Sequence, residues 1–493
     1  MAESLKNSAI SGAKWNAILN IGRYFISFFL SIILARLLEP EEFGLIGMLT
    51  IFTAIAQVFI NSGLSTAIIR DKNASPEDYS TVFYFNIVVS IFFYLLLFFT
   101  APIIAGFYNE PQLVLLTRLV SLVFLINAFG LIQNAILIKA INFKKQAICN
   151  LTGLTVSVIV SAILAFMGYG VYSIAWQAVS QAIVTNVLFW VTSDWRPTGG
   201  FKKTSFLRLW SFGSKILATT IIARIVENID NILIGKIFSA GQLGYYVRAK
   251  SSKQLPEQIF AGVLSSTSFA VLSKVNDDEN ELKRLHIHFF KLSSYLFFPI
   301  MFGFVAIAEA FTVVLYSDKW LPSVPIFQVI AIASIAYFLG TLFAQTIMAK
   351  GDGKLYFRLN TTKKLIGLLS IPFGIFWGLY PFIISFVIFN FIGLLLDFVY
   401  TGRLINVKII TYLKGMLIPF LMSVVMAGLV YFGGEYLRFN YYLMLLVQLF
   451  AGVGLYILFS IIVKSKEFYY VKDVALEQIK IFLIKINLIK TKN

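Results

Sequence analysis

The sequence predicts an all-α polytopic membrane protein of about fourteen transmembrane helices, and three observations carry that prediction. Of the 493 residues, 58% are hydrophobic and only 13% charged, whereas a soluble globular chain carries about 25% charged residues. Mean hydropathy is +0.82. Apolar runs of roughly 20 residues, enough to cross a bilayer, recur from one end to the other. The alternating ten-residue segments of a membrane β-barrel do not dominate anywhere. The opening "MAESLKNSAISGAKW" lacks a cleavable signal pattern, so the first apolar segment is expected to stay as a helix.

Taken in order, the expected spans begin near Lys14, Gly44, Ser80, Leu113, Ile148, Gly170, Trp210, Leu243, Leu285, Pro322, Leu359, Tyr380, Thr411 and Tyr441. Spans one, two, seven and eight are more polar than the others. The links are too short to hold a folded extramembrane domain. Lys and Arg in the links set the orientation. With the N-terminus in the cytoplasm, thirty of them fall in inside links and tails, and only Arg36, Lys236, Lys319 and Arg438 fall outside. Both termini are therefore expected in the cytoplasm.

The formal charge of +17 reflects those basic inner links and does not point to nucleic acid. The single cysteine, Cys149, excludes an internal disulfide and a cysteine metal cluster. His286 and His288 lie beside Lys283 and Arg284 and do not make a metal site. "GDGK" at 351 to 354 lacks the upstream glycine spacing and following Ser/Thr of a phosphate loop, so the chain shows no means of hydrolysing ATP. No cofactor is expected, and no acid/base constellation suggests an enzyme. The lysine-rich tail is expected either on anionic lipid or solvated.

Seven cations remain within spans: Arg23, Arg118, Lys215, Arg224, Arg248, Lys250 and Lys253. A lipid-facing cation at a helix centre costs about 2.5–3.5 kcal/mol on insertion scales. Lys215 and Arg248 lie near span ends, where long side chains snorkel; the others require a watery cavity or a partner. Four acids, Glu227, Asp230, Glu257 and Glu309, are placed in spans as well. The excess of cations suits an anionic ligand, with arginine gripping phosphate through its fork.

An internal repeat places these residues. "LARLLEPEEFG" at 34 to 44 is echoed by "IGKIFSAGQLG" at 234 to 244, which pairs Arg36 with Lys236 and Gly44 with Gly244. Slightly upstream, Gly12, Lys14 and Arg23 match Gly213, Lys215 and Arg224. Six spans per copy keep both copies in one orientation, related by an axis along the membrane normal, with a site expected at their interface. The expected domains are a six-helix bundle over 1–200, a second over 201–405, two further helices over 406–464 and a basic cytoplasmic tail over 465–493. At roughly 100° per residue, Asn16, Asn20, Arg23 and Ser27 form one stripe. Thr50, Thr53, Gln57, Asn61 and Ser65 form another. Arg224, Glu227, Asn228 and Asn231 share an arc from which Asp230 is displaced. The stripes are expected to line a cavity, although polar residues also bind helices to one another.

The stretches "GAKWNAILNIGRYFISFFLSIILARLLEPEEFGLIGML" and "NSGLSTAIIRDKN" resemble the N-terminal signature of Wzx-type polysaccharide exporters. "ENIDNILIGKIFSAGQLGYYVRAK" and "QLPEQIFAGVLSSTSFAVLSKVNDDENELKR" resemble their second-half signature. The similarity covers nearly the whole chain and is nearest to colanic-acid and teichuronic-acid exporters of the multidrug/oligosaccharidyl-lipid/polysaccharide (MOP) superfamily. It implies two six-helix bundles arranged as a V around a cationic cavity, plus two extra helices. It also implies translocation of undecaprenyl-pyrophosphate-linked oligosaccharides across the bacterial inner membrane by alternating access. Coupling to H+ or Na+ and work alongside polymerase and export machinery are implied too. On that reading the cations hold the pyrophosphate, the sugar sits among Asn16, Asn20, Gln57, Asn61, Asn228 and Asn231, and the four acids are candidates for ion coupling. A peptidoglycan-precursor (lipid II) flippase shares this chemistry. A drug/cation antiporter of the same superfamily prefers an acidic cavity. A polymerase generally needs a large external loop.

Overall fold

The computed structural model describes residues 2–61, 63–437 and 440–490, leaving aside the side chains of 2–11, 13, 14, 16, 17, 61, 215, 219, 226, 255, 437, 478, 479 and 481–490. Among these residues every regular element is a helix. The first series is α1 (Ala2–Leu37), α2 (Pro40–Asn61), α3 (Leu64–Arg70), α4 (Pro76–Tyr108), α5 (Leu113–Lys139), α6 (Phe143–Phe166) and α7 (Val171–Thr192). The second is α8 (Lys203–Ile237), α9 (Ala240–Lys274), α10 (Glu279–Tyr316), α11 (Val324–Ala349), α12 (Gly353–Leu368), α13 (Ile371–Trp377) and α14 (Leu379–Leu404). Then follow α15 (Ile409–Leu437), α16 (Tyr441–Ile462) and α17 (Lys466–Lys490).

Eleven of the described helices are long and apolar enough to cross a membrane, and α8 makes a twelfth if its segments Lys203–Ile225 and Glu227–Ile237, which meet at 40°, count as one span. Two of the fourteen expected spans fall outside this set for physical reasons. The helix α9 carries Arg248, Lys250, Lys253 and Glu257 in succession. The span expected near Leu359 is divided into a polar α12 and a seven-residue α13, with a proline in the first turn of α13; Pro lacks the backbone N–H that would carry the helical hydrogen-bond ladder on from α12. Apolar side chains such as Phe99, Phe166, Val191, Phe432 and Phe450 stand exposed, as a lipid-facing surface requires.

Local chemistry starts the helices where the chain must turn. Ser75 and Asp78 close a capping box at the head of α4 with Pro76 in its first turn. Asn142, Asp278, Asp352 and Asn440 accept first-turn amides of α6, α10, α12 and α16.

The chain forms two compact units, Met1–Val247 and Arg248–Asn493. The division lies inside α9, beyond the boundary expected at 200, because α8 packs along α2, α3 and α4. In the first unit α4, α5, α6 and α7 pack successively, with α1 on α6. The stretch joining α3 to α4 is tied to α8: Arg208 holds Asp71 at 3.0 Å and the buried Asp78 at 2.5 Å. Lys139 of α5 donates to the Asp71 carbonyl and to Tyr79.

In the second unit α10 packs against α11, α15 and α16, so the two helices expected outside the repeat lie on this unit. The tail is helical over α17, and Phe468 and Val471 pack on the cluster around Tyr295, Met426 and Tyr456. His286 sets the register of α15. The Thr346 hydroxyl donates to the Leu342 carbonyl, so at 2.8 Å it accepts from His286 Nδ1. That leaves Nε2 to accept from Tyr412, 3.1 Å away. All three side chains are buried. Replacing Tyr412 by Phe strands Nε2 without its donor and is expected to cost about 1–3 kcal/mol, read as a lowered melting temperature of the detergent-solubilised protein.

Candidate functional site

The first unit contains a cavity of about 340 Å³ formed by α2, α3 and α8. Gln57, Thr66, Thr220 and Arg224 supply its polar atoms, and Ala54, Val58, Ile216 and Leu217 its apolar wall. Gln57 and Arg224 are the stripe residues that sequence periodicity singled out on two different helices, and the structure brings them to one cavity. Gly63 makes this possible. Its φ is +60°, a left-handed conformation that glycine adopts at little cost, and it separates α2 from α3. A Cβ at Gly63 would overlap the Gly213 carbonyl, so the corner can approach α8 only because Gly63 has no side chain.

Arg224 Nη1 lies 2.8 Å from Glu227 Oε2, with the two side chains 51% and 53% exposed. An exposed pair of this kind contributes at most about 1 kcal/mol, so Arg224 can exchange Glu227 for a stronger anion at little cost. Asn228 donates its side-chain amide to the Arg224 carbonyl. Asp230, displaced from that arc, is buried and accepts from the Tyr246 hydroxyl at 2.7 Å and from the Asn231 amide at 3.0 Å. It therefore ties α8 to the start of α9. Among the described residues Asn231 Oδ1 is buried without a hydrogen-bond partner.

Asn20, Arg23 and Ser27 are exposed on α1, turned away from the protein core that α1 forms with α6. Thr50 and Thr53 spend their hydroxyl protons on carbonyls of their own helix. The side chains of Asn16, Asn61 and Lys215 lie outside the described residues. Arg118 does not line the cavity. Its guanidinium sits 4.2 Å over the Phe98 ring and its Nε donates to the Phe98 carbonyl, which fastens α5 to α4.

In the second unit Arg248 is buried, its guanidinium 3.9 Å over Tyr316 and 5.3 Å from Trp320, an enclosed cation–π arrangement. Lys253 pairs with Glu257 at 2.9 Å, both side chains largely covered, and Lys250 is half-buried on the same helix. Glu309 accepts from Tyr441 at 3.0 Å across to α16. Sequence reasoning missed one ion pair here. Lys363 Nζ lies 2.9 and 2.8 Å from the two oxygens of Asp397, whose side chain is 3% exposed. A lone carboxylate in the apolar run "FIGLLLDFVY" was the available signal.

A family model for polysaccharide biosynthesis proteins matches residues 33–325, more than half of the chain. The chain belongs to the polysaccharide biosynthesis protein family. The matched stretch includes α2, α3, α8 and α9, hence the cavity. This family member is 26% identical to the teichuronic acid biosynthesis protein TuaB of Bacillus subtilis, over 87% of this chain and 89% of that one. It is 24% identical to the lipopolysaccharide biosynthesis protein WzxC of Escherichia coli, over 75% and 76%. Its fold matches the lipid II flippase MurJ in an inward closed conformation with a TM-score of 0.72 at 18% identity, covering 90% of this chain and 98% of that one. It also matches an inward-facing multidrug resistance MATE family transporter of the MOP superfamily with a TM-score of 0.62 at 14% identity, over 77% and 94%. The polysaccharide biosynthesis protein thus has the helical membrane fold of MOP transporters.

Proposed function

We propose that this protein is a flippase that moves undecaprenyl-pyrophosphate-linked oligosaccharide repeat units across the bacterial inner membrane, both termini in the cytoplasm, without catalysing a reaction. The observation that carries the reading is the cavity that unites Arg224 with Gln57. A cation whose partner among the described residues is exposed and replaceable suits a pyrophosphate, and amide and hydroxyl groups beside it suit the hydroxyls of a sugar. The names of the relatives, which concern teichuronic acid and lipopolysaccharide biosynthesis, support a polysaccharide precursor. The cavity is far smaller than a lipid-linked oligosaccharide, so it receives the charged head while the acyl part stays in the bilayer.

Fourteen spans in two six-span repeats, with α15 and α16 added, remain our topology, and transport proceeds by alternating access. Glu227, Asp230, Glu257 and Glu309 are candidates for H+ or Na+ coupling. Glu227 suits such a role most directly, because ligand binding to Arg224 releases its carboxylate. Polymerase and export machinery are the proposed downstream partners.

A lipid II flippase is the second reading, favoured by the fold shared with MurJ. A cationic-drug antiporter is disfavoured by the arginine in the cavity. Translocation in proteoliposomes separates them. A polyprenyl-pyrophosphate oligosaccharide should cross the bilayer at least about tenfold faster than the same glycan on a neutral lipid, the ratio expected for about 1.4 kcal/mol of phosphate recognition. Equal rates for both lipids, or efflux of a cationic dye alone, would overturn the reading; transport of lipid II alone would favour the second.

A further inference from the structure

We propose that the first turns of α2 and α9 form a reciprocal seal at the end of the transport path remote from the cytoplasm, and that Gly44 and Gly244 are the residues that let it close. The inference rests on the alternating-access reading and adds a device to it. The two helices begin at Pro40 and Ala240, and the two glycines lie at the same interval in each. A Cβ on Gly44 would overlap the Ala240 carbonyl, and a Cβ on Gly244 would overlap the Pro40 carbonyl. Each repeat therefore offers the carbonyl of its first helical residue to the other repeat's glycine, one turn further on. A contact of i with j matched by j with i is what two-fold related surfaces make.

The surroundings fit a contact that opens and closes. At the crossing backbone meets backbone, where only a Cα hydrogen separates the chains. One turn further on, the nearest atoms to a Cβ on Gly47 would be side-chain atoms of Leu243 and Val247 at 3.0–3.2 Å, which can give way more readily than backbone. On α8, Gly235 likewise faces Met48 and Leu243. The crossing lies roughly 20 Å along α2 from Gln57, at 1.5 Å per residue. The other end of α2 meets α8 through Gly63 and Gly213. The cavity therefore lies toward one end of α2, and the crossing closes the other. Alternating access requires that crossing to part.

The test uses the full chain in detergent or nanodiscs, with Cys149→Ser removing the native thiol. Nitroxide labels at Glu39→Cys and Gln242→Cys, both exposed, report the crossing by pulsed electron paramagnetic resonance. Gly44→Ala and Gly244→Ala, singly and together, should raise the ratio of wide to short label distances roughly tenfold, a shift in a two-state population. Gly47→Ala should move it little, and Gly106→Ala, where a Cβ meets nothing within 4 Å, not at all. An unchanged distribution in folded Gly44→Ala and Gly244→Ala protein would overturn the seal, as would equal widening in Gly106→Ala. Failure of both single variants to fold would overturn it too, because the close approach would then serve the fold itself. The readout needs no substrate, so an error in the transport reading shows in the translocation assay and not here.

Discussion

Replacing Asp397 by alanine is expected to destabilise the second unit by about 3–5 kcal/mol, the cost of leaving a buried charge without its partner. Lys363 lies 2.8–2.9 Å from both Asp397 oxygens, and the pair is enclosed on α11 by Gly340, where an added Cβ would come within 3.2 Å of Asp397 Oδ2. The lysine is 22% exposed, too little for water to replace the lost carboxylate in full. Thermal unfolding in detergent should show a fall of several degrees or loss of the folded state. Lys363→Met/Asp397→Leu should recover most of that loss, since a well-packed apolar pair often equals a buried ion pair. A melting temperature unchanged in Asp397→Ala would mean that the pair contributes nothing to the fold.

The second large effect is functional. Arg224→Ala should lower translocation of a pyrophosphate-linked oligosaccharide by about tenfold to a thousandfold, corresponding to one or two charge-assisted hydrogen bonds of about 1.5–3 kcal/mol each. Stability should barely change, because the Arg224–Glu227 pair is half-exposed on both sides. Arg224→Lys should keep part of the rate through its point charge while losing the bidentate grip. Arg118→Ala, by contrast, removes a fastening between α4 and α5 and should act on stability more than on substrate. Equal transport losses in Arg118→Ala and Arg224→Ala would remove the distinction between a cavity cation and a structural one.

Much of the fold was legible in the sequence, because composition and apolar run length suffice to recognise membrane helices. Gly44 and Gly244, matched by sequence alone, meet the first turns of each other's helices. What periodicity could not supply was the partner of each polar side chain. Helical angles place Arg224 and Gln57 on stripes, and the cavity unites them. The resemblance counted Arg248 among the pyrophosphate cations and its place near a span end suggested snorkelling, yet Tyr316 and Trp320, distant in sequence, enclose it. Arg118 differs for the same reason, through Phe98. Asp397 escaped notice because a single acid near the end of an apolar run resembles a terminal residue until Lys363 is seen against it. The division of the units inside α9 was hidden too, since it depends on α8 packing with α2, α3 and α4, which no local pattern reveals.

The central claim is that the cavity cation recognises a lipid pyrophosphate bearing a glycan, and native mass spectrometry of the detergent-purified protein tests it most directly. Wild-type protein offered an undecaprenyl-pyrophosphate oligosaccharide and its neutral-lipid counterpart should retain the pyrophosphate form selectively, and Arg224→Ala should lose that selectivity while keeping its fold. Equal retention of both lipids by wild type, or undiminished selectivity in Arg224→Ala, would contradict the account and leave "ARIVENIDNILIGKIF" a polar seam that only holds α8 in place.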